Sequence, residues 1–270
     1  MDNRAIGVFD SGLGGLTTVR ELRKLLPDER IVYFGDTGRV PYGNRSRETI
    51  RKYAMQDIRF LKRHEVKLVI AACGTVSSAL TPELSAEAGV PFSGVVVPAA
   101  QAACAATVNG RIGVIGTTAT VRSGAYGRAI RTINPDARTF GNACPLFVPL
   151  VENGFIQPDN EITAKVAEIY LKPMIDERVD TLILGCTHYP LIYDIIDRAL
   201  GSRVTLIDAG KQVARWAQGY LAREDLLAGL GGGGTEFYVS DSPDGFSEIA
   251  GLFLGGDVKG DVTQIDLDTL

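Results

Sequence analysis

Soft and nitrogen metal donors are scarce in this chain. Its 270 residues hold two histidines, four cysteines and three methionines, with no C-x-x-C pair. That scarcity argues against a four-ligand zinc site and against the dense disulfide framework of a small secreted domain. No metal is expected, and the thiols are expected to be reduced, as in a cytosol. No stretch approaches the ~18 uninterrupted apolar residues of a membrane span. The opening MDNRAIGVFDSG lacks the basic-then-apolar pattern of an export signal, so no membrane partner is expected. Positive charge is not in excess, with 28 Lys and Arg against 32 Asp and Glu and no basic run. The electrostatic footprint of a nucleic-acid binder is therefore missing.

What remains is an ordinary globular composition, 45% hydrophobic and 22% charged, in a chain long enough for one large or two modest domains. Short apolar runs alternate with helix-period stretches. The segments 5–9, 31–34, 67–71, 93–97, 111–115, 181–184 and 204–207 read as strands, nearly continuous in aliphatic and β-branched residues as strands covered on both faces must be. Between them, 16–26, 46–63, 163–175 and 213–227 read as helices, the second opening at an N-cap Ser46. The alternation predicts an α/β fold with parallel sheets, and right-handed crossovers place the strand-to-helix loops on the carboxyl edge, where such folds carry their chemistry. The glycine-rich 229–234 (GLGGGG) reads as a flexible loop before a strand at 236–240.

One internal echo organises the chain. VIAACGTVSSAL at 69–80 and ILGCTHYPLI at 183–192 each run from an apolar strand through a small residue to Cys, a small or polar residue and a possible helix start. Two similar halves, each offering one thiol from a strand end, explain it most simply. Cys73 and Cys186 would then meet hydroxyls and backbone N–H groups, a setting expected to lower a thiol's pKa. Cys104 and Cys144 lie in apolar surroundings and read as packing.

Other polar loops fall at strand ends too. Asp10 and Ser11 precede the glycine-rich turn GLGG, which has neither dinucleotide nor P-loop spacing. Asp36–Thr37 and the stretch PYGNRS at 41–46 follow the second strand, and TTAT at 117–120 follows another. Glu152 sits in an apolar stretch where an unpaired charge is costly, with His188 as a possible partner. His64, in KRHEV, reads as a solvated surface residue.

The segments IGVFDSGLGGL (6–16), YFGDTGRVPYG (33–43), 73–78, RIGVIGTTAT (111–120) and LGCTHYPL (184–191) together resemble the ordered signature of the glutamate racemase family. That family belongs to the cofactor-independent aspartate/glutamate racemase superfamily. The resemblance implies two similar Rossmann-like or flavodoxin-like domains, 1–97 with 210–270 and 98–209, and an active site in the interdomain cleft. It implies Cys73 and Cys186 as the two catalytic thiols, Asp10 and His188 as their supporting acid/base residues, and Glu152 as an assisting carboxylate. Ser11, Pro41, Tyr42, Gly43, Gly74, Thr75, Thr117, Thr120 and Thr187 fall on substrate-contact positions, with the choice among Thr117, Thr118 and Thr120 left open. It further implies glutamate as substrate, no cofactor, a cytoplasmic homodimer, and supply of D-glutamate for peptidoglycan.

Inverting an α-carbon requires removing a proton from one face and delivering one to the other, and paired thiols suit both tasks. Alternatives remain: an aspartate or other acidic amino-acid racemase, a thiol hydrolase built on Cys186 and His188, and a regulatory module without catalysis. One departure stands out. The family usually reads Ala-Cys-Asn-Thr where this chain reads Ala72-Cys73-Gly74-Thr75. The missing amide loses a hydrogen bond to substrate, so Gly74→Asn is expected to tighten glutamate binding.

Overall fold

The computed structural model describes residues 1–244, 246–256, 258 and 261–267. Positions 245, 257, 259–260 and 268–270 of the expected 210–270 segment lie outside the described residues. Among the described residues, ten strands form two sheets in which every pairing is parallel. They are β1 (Ala5–Asp10), β2 (Arg30–Gly35), β3 (Val66–Ala71), β4 (Phe92–Gly94), β5 (Arg111–Gly116), β6 (Arg138–Ala143), β7 (Thr181–Leu184), β8 (Thr205–Asp208), β9 (Gly234–Val239) and β10 (Val262–Gln264). The first sheet runs β10-β9-β2-β1-β3-β4 and the second β6-β5-β7-β8.

The echo in the sequence is a repeat in topology. The order β2-β1-β3-β4 is reproduced as β6-β5-β7-β8, each a doubly wound sheet. β1 then corresponds to β5, and β3 to β7. The central strands β1, β3 and β7 are fully buried, which accounts for their unbroken apolar runs. The strand order places the ends of β1, β3, β5 and β7 at the centres of the two sheets, and the chemistry-bearing loops grow from those ends.

Local signals set the helix bounds. Ser46 accepts a hydrogen bond from the Thr49 N–H at 3.2 Å and opens the helix Arg47–Lys62. Asn160 caps Glu161–Asp176 in the same way. Asp208 caps Ala209–Arg223, so that helix starts and stops four residues before the 213–227 expectation. The helix Ala209–Arg223 packs both on Leu16–Leu25, beside the first sheet, and on Val96–Ala106, beside the second.

The expected strand at 93–97 is cut short. Backbone pairing ends at Gly94 and the helix Val96–Ala106 takes over, with Pro98 in its first turn, where a missing N–H costs nothing. Edge strands β6 and β10, RTFGNA and VTQ, carry no apolar run and were not expected; β6 has no fully buried residue.

His64 is half-buried rather than fully solvated. Its ring packs 4.7 Å from both Phe60 and Tyr238, and burial lowers its pKa. Among the described residues, no helix is long and apolar enough to cross a membrane.

Candidate active site

A cavity of about 410 Å³ opens between the carboxyl edges of the two sheets. The turn after β1 contributes Asp10 and Ser11, the segment after β2 contributes Pro41, Tyr42 and Gly43, and the turn after β3 contributes Cys73, Gly74 and Thr75. The second sheet contributes Thr117 after β5 and Cys186, Thr187 and His188 after β7, while Glu152 closes one rim. Thirteen of the fourteen residues that the family resemblance assigns to the site therefore line one space. Thr120 does not. It is buried behind the wall, its Oγ1 3.0 Å from Thr117 Oγ1 and 3.5 Å from Thr75 Oγ1, while Thr118 takes the lining position.

The thiols differ in their neighbours. Cys73 Sγ lies 3.4 Å from Ser11 Oγ, above the buried carboxyl of Asp10. Asp10 Oδ2 accepts the Gly12 N–H at 3.0 Å, and Oδ1 has no hydrogen-bond partner among the described residues. Burial raises the Asp10 pKa, opposed by the charge of His188 and by backbone N–H groups of Gly12 and Gly15.

Cys73 departs from the expectation of an acidic thiol. Burial and the nearby Asp10 charge push it up to about 12, outweighing the hydrogen bonds from Ser11 and the Val76 backbone. The four-residue helix Gly74–Ser77 that follows it is too short to offset desolvation.

Cys186 Sγ lies 3.8 Å from His188 Nδ1, and His188 Nε2 lies 3.0 Å from Glu152 Oε1. Burial pulls the imidazole down. Its hydrogen bonds to Cys186 and Glu152, and their negative charge, outweigh burial and hold the pKa at about 10. Glu152 is half exposed rather than enclosed, so its charge stays hydrated while it orients the ring.

Cross-contacts hold the turns together. Thr75 Oγ1 meets Thr117 Oγ1 at 2.9 Å, bridging the two sheets. Thr17 Oγ1 donates to the Thr187 carbonyl at 3.1 Å and to the Gly14 carbonyl at 2.9 Å. Gly14 leaves the space that these groups occupy: a Cβ there would stand 2.1 Å from Thr187 Oγ1 and 2.7 Å from His188 Cε1, so one of the two turns would have to shift. Tyr33, missed in the sequence, donates its buried hydroxyl to the Gly12 carbonyl at 2.6 Å and braces the first turn. Tyr42 donates to the Asp36 carboxylate, which Arg39 Nε also contacts at 2.6 Å. Leu13, Val40, Pro145, Val148 and Pro149 supply apolar walls that only the folded chain brings together.

Cys104 and Cys144 stand outside this cavity; Cys144 is buried with Sγ 3.7 Å from the Asn142 carbonyl. Among the described residues, no cluster of three or more His, Cys, Asp or Glu is placed to hold a metal ion.

The arrangement brings two thiols to one cavity, Cys186 beside His188 and Cys73 near the Asp10 carboxyl, with the hydroxyls of Ser11, Thr75, Thr117 and Thr187 in the same lining.

Comparison with known proteins follows the same outline. The family model for Asp/Glu/Hydantoin racemase matches residues 16–217. The chain is 45% identical over 266 residues to the glutamate racemase of Geobacter metallireducens, covering 98% of this chain and 97% of that one. It is 48% identical over 252 residues to the glutamate racemase of Chlorobaculum tepidum, covering 93% and 92%. The crystal structure of glutamate racemase from Francisella tularensis in complex with D-glutamate superposes with a TM-score of 0.92 at 39% identity, covering 100% of both chains.

Proposed function

From the premise that this chain belongs to the Asp/Glu/hydantoin racemase family, we propose that it interconverts L- and D-glutamate by proton transfer at the α-carbon. The observation that carries this reading is the placement of both thiols on one cavity, Cys186 beside His188 and Cys73 beside Ser11 and within the field of the Asp10 carboxylate. The relatives named glutamate racemase, and the similar fold that holds D-glutamate, support glutamate as the substrate.

In the proposed reaction one thiolate takes the α-proton and the opposite thiol delivers its own to the other face, so the two exchange states in each turnover. Asp10 and Ser11 attend Cys73, while His188, oriented by Glu152, attends Cys186. The buried Cys73 thiol loses its proton with difficulty, and a substrate ammonium entering beside it would favour the thiolate. Negative charge developing on the substrate would be stabilised by the hydroxyls of Thr75, Thr117 and Thr187 and by the backbone N–H groups of Tyr42, Gly43 and Gly74, with Pro41, which has no N–H, shaping the wall beside them. Thr120 supports Thr117 and Thr75 from behind.

The segments 1–97 with 210–270, and 98–209, are read as the two domains that enclose the substrate. A cytoplasmic homodimer supplying D-glutamate for peptidoglycan is the setting that the family implies.

The test is a rate panel on L-glutamate, L-aspartate and L-glutamine with purified protein. Racemisation of glutamate at least tenfold faster than of the others supports the reading. Faster turnover of aspartate would move the assignment to another acidic amino-acid racemase, and hydrolysis of glutamine without racemisation would favour the thiol hydrolase.

A further inference from the structure

The two thiol-bearing turns touch through glycines. Gly74 follows Cys73 and Gly185 precedes Cys186. A Cβ built on Gly74 would stand 2.0 Å from the Gly185 carbonyl oxygen, 3.1 Å from its carbon and 3.8 Å from the Cys186 nitrogen. All three are backbone atoms, so no side-chain rotation relieves the contact.

Neither backbone is free to retreat. The Gly185 N–H donates to the Ile115 carbonyl at 2.8 Å, and the Gly74 carbonyl accepts from the Ser78 N–H at 3.0 Å and the Ser78 hydroxyl at 2.7 Å. The expectation that Gly74→Asn tightens glutamate binding therefore fails on space. An asparagine must first part the two turns by more than an ångström before its amide can reach anything.

We propose that Gly74 is a positioning residue that sets the gap between Cys73 and Cys186. Lacking a side chain, it lets the two turns meet backbone to backbone, and that contact fixes the separation across which the substrate's α-carbon is held. This inference rests on the two-thiol reading above. An ångström of misplacement between reacting groups costs on the order of a hundredfold in rate. Gly74→Ala, the smallest possible wedge, is expected to slow inversion by roughly that factor.

The mechanism supplies a readout that loss of folded protein does not move. In D₂O the first thiolate takes the α-proton, breaking C–H and forming S–H, while the electron pair stays on the α-carbon. The opposite thiol, carrying a solvent deuteron, gives it to that carbon and becomes the thiolate, and the configuration inverts. When the opposite thiol is out of reach, the first thiol exchanges its proton with solvent and returns a deuteron to the same face. Configuration is then retained, with deuterium incorporated.

The experiment incubates L-glutamate in D₂O with the parent and Gly74→Ala and measures deuterated L-glutamate against deuterated D-glutamate at early times. The expected result is a ratio of retention to inversion at least tenfold above the parent's. A ratio equal to the parent's overturns the proposal, whatever the rate, as does Gly74→Asn inverting at the parent rate. The ratio is a property of each turnover, so a variant of lowered stability is read in the cold on its folded fraction.

Cys73→Ala and Cys186→Ala run beside it. If either inverts at the parent rate, the two-thiol reading fails and takes the spacing argument with it. If both are inactive while Gly74→Ala keeps the parent ratio, the spacing argument alone fails.

Discussion

Gly14→Ala adds one methyl group at the point where the first turn meets the histidine-bearing turn. Its Cβ would fall 2.7 Å from His188 Cε1 and 2.8 Å from Nδ1, against 3.4 Å for ordinary contact. Thr187 Oγ1, at 2.1 Å, can rotate away, though only by giving up its 3.4 Å contact with Nδ1. The ring itself is held by Glu152 at 3.0 Å and lies edge-on to Phe253 with centroids 5.1 Å apart. Restoring contact distance to both atoms requires the ring to recede by about 0.7 Å, which moves Nδ1 relative to the Cys186 thiol. At about a hundredfold per ångström, such a shift costs roughly 25-fold in kcat, or ~1.9 kcal/mol. Because two enantiomers are equal in energy, kcat/KM must fall by the same factor in both directions. The assay is circular dichroism of L- and D-glutamate with increasing substrate, beside a thermal melt. The chain has only two histidines, so the NMR titration of His188 can be followed in the same samples. A kcat within twofold of the parent, with an unmoved His188 titration, would refute the reasoning.

Other perturbations follow from the same geometry. His188 is held at about 10, above its ordinary 6.5, so its contribution to stability is complete below about pH 6.5 and is lost as pH rises through about 10. The melting temperature should therefore fall between pH 7 and 10, and fall less in His188→Asn; equal slopes would show that the imidazole is not held in its charged form. Cys73, pushed up to about 12, should be alkylated slowly by iodoacetamide at pH 7 and faster throughout the alkaline range, read by mass spectrometry of its peptide. A plateau below pH 8 would contradict that. Cys104→Ala and Cys144→Ala should keep kcat within twofold, the buried Cys144 losing on the order of 1 kcal/mol of stability on denaturant unfolding. A collapse of kcat in either folded variant would give that thiol a role this account denies.

Much of the site was legible because its residues stand just beyond buried parallel strands. An unbroken apolar run such as AIGVFD announces a covered strand, and the first polar residues after it must lie at the carboxyl edge. Asp10, Cys73, Thr117 and Cys186 were all found in that way. The edge strand RTFGNA was not, because a strand with one neighbour and partial cover needs no apolar run. The half of His64 that is covered was not legible, because its neighbour Tyr238 lies far along the chain. The Cys73 pKa was misjudged for a related reason: local sequence shows the following N–H groups, while burial and the Asp10 charge arise only on folding. Gly74 is the sharpest case. Read locally it lost an amide, and in three dimensions it makes room for the carbonyl of Gly185, more than a hundred residues away.

The central claim is that two opposed thiols carry the proton, and loss of optical rotation from pure L-glutamate tests it most directly. The parent protein should bring the rotation to zero. Cys73→Ala and Cys186→Ala, confirmed as folded, should each leave it flat, because one face of the α-carbon then has no proton carrier. A single variant that racemises glutamate at a rate near the parent's would contradict the account.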